Sequence, residues 1–523
     1  MYRQIIMDPR DTHFLRVFWC EQPSDRLRVL ELTTVTYGTA SAPFQATRCL
    51  QQLAEDESTD YPIGARIVKE DFYVDDALSG ADSLSAAVEA VKQLKGIMQK
   101  GGFSLHKWCS NSNELLEHIP TAEQEQPAAL EDYGPNGVIK VLGLLWDPKA
   151  DIFQIARPIQ RSLKQPVTKR IIYSEVARLF DPLGLVSPVI VVAKLLVQRL
   201  WQCKIGWDDP VNDQTQKFWE DFANSLSALE TIAIPRRITF DEAVDYELHG
   251  FADASSVAYG ACVYVRSLFS NGSAKLKLVT SKSKVAPLHE LSTPRKELCA
   301  ALLLTRLVEK VVHVLQMEFR HVVLWSDSQI VLAWMKRPAH RLKVFVRNRI
   351  AEINSKTAEY QWCYIRTTEN PADIVSRGLL PNDLCKSSLW WYSPSFLSSV
   401  EYEAEDIEDI PENMLPEITT VETVATAVEE EFPLFSRFSD FRKIERVMAL
   451  VLRFICNARL NEKSEYQTAR HVTITELRHT NHEPKNDAVE DNESPKKAVE
   501  TSCQPGGVCS VRNEPSDNNN NHE

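Results

Sequence analysis

Residues 246–266, YELHGFADASSVAYGACVYVR, decide the fold. They carry two apolar strands, Tyr246 to Ala252 and Ala258 to Arg266, and a third follows from Lys275 to Ser281. β-branched and aromatic residues of this kind suit a pleated, half-buried surface. The period then changes. Thr293 is placed to cap a helix with Pro294 at its first position, and Leu304, Val308, Val311 and Leu315 recur at helical spacing. Strands from His321 to Ser326 and Tyr360 to Arg366 alternate with two more helices. Three antiparallel strands leading into α/β crossovers make a mixed five-stranded sheet with helices.

Four carboxylates fall where such a sheet would gather them. Asp253 ends the first strand, Glu297 lies in the first turn of the long helix, Asp327 ends the strand in LWSDS, and Asp373 begins the last helix in NPADI. Singly, an Asp at a strand end is a solvated turn residue, and a Glu in a first helical turn complements the helix dipole. Together they form a set suited to two-metal phosphodiester hydrolysis, in which cations about 3.5–4 Å apart activate a water and stabilise the leaving oxygen. Mg²⁺ suits all-oxygen ligands, and Mn²⁺ is the alternative.

The charge agrees once it is placed along the chain. The 523 residues carry a net charge of −13, from 72 Asp+Glu and 59 Lys+Arg. Residues 401–523 hold 26 acidic and 13 basic residues, which leaves 46 of each in 1–400, and residues 246–385 hold 19 Lys+Arg against 12 Asp+Glu. A basic body around an acidic point is the pattern of a nuclease. The 11 cysteines show no CxxC pair and read as reduced thiols, Cys503 and Cys509 included. The apolar run from Val186 to Leu200 is broken by Pro188, Lys194 and Gln198, so no membrane span is expected. Met1-Tyr2-Arg3-Gln4 opens no signal peptide, and a cytoplasmic or nuclear location is the expectation.

Around the nuclease segment, 246–385, the expected organisation is α/β throughout. Residues 1–155 read as an α+β sheet with covering helices, from strands at Phe14 to Trp19, Arg28 to Thr34 and Ile139 to Trp146 and a helix at Ser83 to Lys100. Residues 156–245 read as a helical connection punctuated by Pro182, Pro188 and Pro210. Residues 386–460 read as an acidic linker containing a helix from Phe438 to Arg459, and 461–523 as a disordered tail too polar to bury a core.

FADAS, TPRKEL, LWSDSQ and NPADIVSRG occur in order, and with them the segment resembles retroelement ribonuclease H domains. The resemblance implies that Asp253, Glu297, Asp327 and Asp373 bind two Mg²⁺ ions and that RNA is cut within an RNA/DNA hybrid, leaving 3′-hydroxyl and 5′-phosphate ends. Integrases share the fold but place their Glu last, whereas here it is second. Many relatives carry a His shortly before the last Asp; Thr367-Thr368-Glu369-Asn370 has none. Lys336, Arg337, Arg341, Lys343, Arg347 and Arg349, with Trp334 and Phe345 among them, crowd one expected helical stretch that could track phosphates and pack on sugars or bases. The plainer reading is a solvated helix face over buried aromatics.

Tyr73-Val74-Asp75-Asp76 resembles the Tyr-x-Asp-Asp turn of reverse transcriptases, whose adjacent carboxylates hold metal ions for nucleotide addition. Tyr37-Gly38 through Gln45 looks like the template-contacting segment, Lys100-Gly101-Gly102-Phe103 through His106-Lys107-Trp108 like the next palm segment, and Leu142-Gly143-Leu144-Leu145-Trp146 like the primer grip. With Glu175-Val176 through Phe180-Asp181-Pro182-Leu183-Gly184-Leu185, these resemble the BEL/Pao type of retrotransposon polyprotein. Tyr2 matches the aromatic that excludes ribonucleotides; the family's first catalytic Asp would precede Met1, so a polymerase inactive as given is expected. Neither Asp-Thr-Gly nor Asp-Ser-Gly occurs, so no aspartic peptidase is expected. The competing expectation is a decayed or domesticated remnant that binds nucleic acid without cutting it.

Overall fold

The computed structural model describes residues 1–125, 138–141, 143–155, 166–289, 291–399, 401–402 and 410–419, with 443, 446–451 and 454. The chain divides into two units, Met1–Val421 and Glu422–Glu523. In the second, the described residues are helical and fall within the helix expected from Phe438 to Arg459. The rest of that helix, the tail from 461, Cys503 and Cys509 lie outside the described residues.

In the first unit, β1 (Ala243–Ala254), β2 (Ala258–Phe269) and β3 (Ala274–Val285) run antiparallel in succession. β4 (His321–Ser326) pairs parallel with the other side of β1, and β5 (Gln361–Tyr364) pairs parallel with β4. The order β3-β2-β1-β4-β5 is the mixed sheet expected from the sequence. Between and after the strands come α1 (Thr293–Leu315), α2 (Gln329–Met335), α3 (Val344–Lys356) and α4 (Pro371–Arg377). The cap of α1 is Ser292, one residue before the expected Thr293, and it makes no side-chain capping bond.

The middle of the sheet is apolar on both faces, so each needs a cover. On one face α1 brings Ala300, Leu304 and Val308 against Leu248, Ala252, Ala261 and Val263. On the other, Phe251, Tyr264, Leu276 and Trp325 share a core with Val189 and Leu196 of the helix Ser187–Gln202 and with Trp219 and Phe222 of the helix Asp213–Ser225. The residues on either side of the expected boundary at 245/246 therefore form one packed body. Trp390 and Leu397 complete this core, each with 0% exposure. That corrects the linker expected from 386: its first residues are core, because the second face of the sheet would otherwise meet water.

β3 is an edge strand, and the loop 181–186 covers it. Ser281 N donates to Leu183 O at 3.0 Å, Thr280 Oγ1 donates to the same carbonyl at 2.7 Å, and Ser281 Oγ donates to Gly184 O. Asp181 shapes the loop by accepting the N–H groups of Leu185 and Val186, each at 2.8 Å. Covering an edge in this way blocks further strand pairing.

The first 155 residues differ from the single sheet expected. Among the described residues, Arg16–Trp19 pairs with Arg28–Glu31, Phe72–Tyr73 pairs with Asp76–Ala77, and a four-stranded sheet joins Ile139–Val141, Leu144–Asp147, Ile152–Gln154 and Ile234–Pro235. The expected strand from Ile139 to Trp146 is a hairpin, turned by Gly143 at φ 88°. Helices Ala42–Asp56, Pro62–Glu70 and Leu84–Lys100 pack around Leu50, Ile67, Leu94 and Ile97, and Ser83 caps the third by accepting from Ala86 N at 3.3 Å. Among the described residues no helix is long and apolar enough to cross a membrane.

Gly184 tests the seating of the edge loop. It sits at φ 75°, and a Cβ there would fall 1.8 Å from Ser281 O. Gly184→Ala should destabilise the unit by more than the ~1–2 kcal/mol that a left-handed alanine costs by itself, since either the loop or β3 must move. Thermal melting measures it; a loss confined to ~1 kcal/mol would mean that the loop is not held against the strand.

Candidate active site

Strand register brings the first two carboxylates together. Ser326 is the last residue of β4 and pairs with Ala252 of β1 in a parallel ladder, so Asp327, just past β4, stands beside Asp253, which is still in β1 and paired with Gly260 of β2. Asn370 then fixes α4 above them. Its side chain accepts from Ala372 N at 3.0 Å, capping the helix, and donates to Ala252 O at 3.1 Å. That places Asp373, in the first turn of α4, over the end of β1. Glu297, expected in the first turn of α1, is the fifth residue of that helix and approaches from just beyond its first turn, because the helix already starts at Thr293.

Each carboxylate is held by a partner. Ser376 Oγ donates to Asp253, Ser328 Oγ donates to Glu297, Thr367 Oγ1 donates to Asp327 at 2.7 Å, and Arg377 Nε donates to Asp373 at 2.6 Å. Ser328 also caps α2 by accepting from Val331 N at 3.3 Å, so one hydroxyl orients a carboxylate and starts a helix. Sequence reasoning missed all four partners. Ser328 directly follows Asp327, and Ser376 and Arg377 stand three and four residues after Asp373, so helical spacing gave a signal. Thr367 had none, because only the fold brings it to Asp327.

Burial and mutual repulsion dominate the electrostatics. Asp253 is 6% exposed, and burial, then the charges of Asp327 and Asp373, push its carboxyl up to about 7 despite the Ser376 hydrogen bond. Burial raises Glu297 as well, with Asp327 adding to the effect and Ser328 opposing it. Arg377 is raised by its bond to Asp373 and then by the nearby Asp253 and Asp327. Among the described residues no three His, Cys, Asp or Glu side chains form a ready-made metal cage. The four acids are therefore neighbours in charge rather than a closed coordination shell. An all-oxygen set with too much negative charge for its burial fits a hard divalent cation.

The six basic candidates do not lie on one helix. α2 ends at Met335 and α3 begins at Val344, with Pro338 between them. Lys336, Arg341, Lys343 and Arg347 are exposed. Arg337 is half-buried and donates to Ile410 O at 2.8 Å. Arg349 is half-buried too; it donates to Phe345 O at 2.9 Å and lies 3.6 Å over the Phe345 ring. Trp334 is fully buried, with its N–H on Pro416 O at 2.8 Å. It is a core residue, which removes it as a surface for sugars or bases.

In the N-terminal segment, Tyr73 and Asp76 pair across a tight hairpin with Val74 at φ 59°. Tyr73, Asp75 and Asp76 are exposed. Tyr2 lies half-buried in a turn at Tyr2–Gln4, and among the described residues no side-chain hydrogen bond joins it to Asp75 or Asp76. Of the primer-grip candidate, Leu142 lies outside the described residues, while Leu144 and Leu145 are buried.

Residues 168–328 match the family described as Pao retrotransposon-like RNaseH-like domain. No curated protein matches the chain. Among solved structures, the foamy viral protease-reverse transcriptase in complex with an RNA/DNA hybrid is similar at 14% identity and a TM-score of 0.41, over 70% of this chain and 43% of its own. This chain thus spans less than half of that protein. LC11-RNase H1, isolated from compost and solved with an RNA/DNA hybrid, is similar at 14% identity and a TM-score of 0.19, over 27% of this chain and 99% of its own. For RNase H1 from the archaeon Halobacterium salinarum NRC-1 the values are 11% and 0.17, over 24% and 90%. The family match begins in the helical connection, takes in Asp253, Glu297 and Asp327, and ends at Ser328. Over residues 168–328 the chain is thus similar to the RNase H-like domain of Pao-type retrotransposon proteins.

Proposed function

We propose that the chain is a divalent-metal-dependent endonuclease that cuts RNA within RNA/DNA hybrids and leaves 3′-hydroxyl and 5′-phosphate ends. The observation that carries this reading is the juxtaposition of buried Asp253 with half-buried Asp327 at the ends of adjacent parallel strands, with Asp373 and Glu297 close enough to act on them electrostatically. Asp253, Glu297, Asp327 and Asp373 would hold two Mg²⁺ ions, or Mn²⁺, which when bound supply an activated water and charge for the leaving oxygen. The protein orients the ligands. Ser376, Ser328 and Thr367 fix three carboxylates by O–H donation, and Arg377 holds the fourth. Lys336, Arg341, Lys343 and Arg347 offer exposed cations for the hybrid backbone.

Purified protein with Mg²⁺ should cut the RNA strand of a hybrid, and Asp327→Asn should abolish cutting. Equal cutting by both proteins would place the activity elsewhere, and binding without any cutting would favour the reading of a non-catalytic nucleic-acid-binding remnant. We further propose that residues 1–155 do not polymerise, since Asp75 and Asp76 are exposed and stand in a bare two-residue hairpin. Primer extension on an RNA template should stay at background; robust extension would overturn this.

The strained charge at Asp253 also predicts a pH effect. In the fold its carboxyl keeps its proton up to about 7, against about 4 in an unfolded chain. Between these values the folded state binds more protons, so stability falls as pH rises. In metal-free protein, Asp253→Asn should raise stability at pH 8 by ~1–4 kcal/mol, up to the size of that shift, and the gain should vanish at pH 4. Mg²⁺ should erase most of the native chain's deficit at pH 8. Melting curves across pH decide it: a gain of equal size at pH 4 and pH 8 would exclude charge as the cause.

A further inference from the structure

We propose that residues 410–419 form an acidic strap that competes with nucleic-acid phosphates for Arg341 and Arg295, holding hybrid affinity below that of the bare basic surface. The proposal rests on the reading of the surface around Lys336 to Arg347 as the hybrid-binding face.

The strap is anchored by apolar and backbone contacts. Leu415 is 6% exposed and shares a core with Trp334, Leu342 and Val346, with Ile410 and Ile418 partly buried beside it. Leu342 and Ile418 form an antiparallel bridge, in which Lys343 N donates to Glu417 O at 2.9 Å and Thr419 N to Arg341 O at 2.8 Å. The N–H groups of Trp334 and Arg337 add bonds to Pro416 O and Ile410 O.

Two carboxylates ride on this anchor and meet guanidinium groups as a phosphate would. Glu412 accepts from Arg341 Nη1 on both oxygens, at 3.0 and 3.2 Å. Glu417 Oε1 accepts from Arg295 Nε at 2.9 Å, with Nη2 at 2.8 Å. Arg295 stands two residues before Glu297 on α1, which turns it away from the proposed metal ligands and over the ring of Phe345 on α3, 5.0 Å from its centroid. The Arg341–Glu412 pair is half exposed, at 51% and 41%; such pairs contribute little to stability and exchange readily. The surrounding sequence has a single sign of charge: residues 387–436 contain no Lys or Arg. Chain that mimics a polyanion thus covers part of a surface suited to one.

The test uses the full chain in the Asp327→Asn background, so that hybrid is bound but not consumed. Glu412→Gln with Glu417→Gln keeps shape and anchor and removes both charges. It should bind hybrid ~10-fold tighter at 0.1 M salt, with a slope of log affinity against log salt steeper by about 1.5, at roughly 0.7–0.9 per phosphate contact. The two proteins should converge near 1 M salt. In parallel, Arg341, Lys343 and Arg347 changed together to Ala should weaken binding and flatten the slope by about 2 to 3. If the triple variant weakens binding while the glutamine variant matches its parent at every salt, the strap is overturned and the binding face stands. If the triple variant also leaves affinity and slope unchanged, both readings fall.

Discussion

Everything at the proposed site depends on a repulsion that the fold enforces. The parallel ladder between β1 and β4 brings Asp253 and Asp327 together, and burial denies Asp253 the water that would otherwise screen it. A lone chain would avoid such a pair. The sheet sustains it because the strands behind the carboxylates are committed: Leu248, Phe251 and Leu324 are all fully buried, and each contributes roughly 1.5–3 kcal/mol by leaving water. That energy comes from apolar burial and does not depend on the charges. The result is a concentration of negative charge that a bound cation would relieve.

The supporting shell follows the same economy. Asn370 both caps α4 and ties it to β1, Ser328 both caps α2 and holds Glu297, and Ser376 sits one turn beyond Asp373 on the helix that Asn370 starts. Local helix-starting chemistry and ligand positioning are thereby the same bonds. A substitution at any of these polar residues would disturb a helix end and a carboxylate together, so its effects on stability and on metal affinity should be separated by measuring both.

The five-stranded RNase H-like sheet was legible in the sequence because its signals are local. Apolar strands, a Pro in the first turn of α1 and four acids at or near element ends fix the order and direction of the elements. Three features were not. The second cover of the sheet comes from residues 187–225 and 390–397, which no period in 246–266 announces. Trp334 reads as a surface aromatic among basic residues, yet it is buried, because residues 410–419 return to cover it. The N-terminal strands read as one sheet, but their short, exposed hairpins show that residue preference alone does not decide which strands pair.

The core shared between the connection and the five-stranded sheet has a consequence for how such a sequence can be inherited or moved. A module transplants between proteins only if its outer surface tolerates water, and the segment 246–385 does not meet that condition. Without Val189, Leu196, Trp219, Trp390 and their neighbours, Phe251, Tyr264, Leu276 and Trp325 would form one apolar face, and continuous exposed faces of that kind drive association. The part able to travel as a unit is a larger body, reaching at least from Phe153 and Ile155 to Leu415, and its bounds are set by its packing and not by its carboxylate motifs. Recombination points inside that span would be selected against even where they spare every carboxylate.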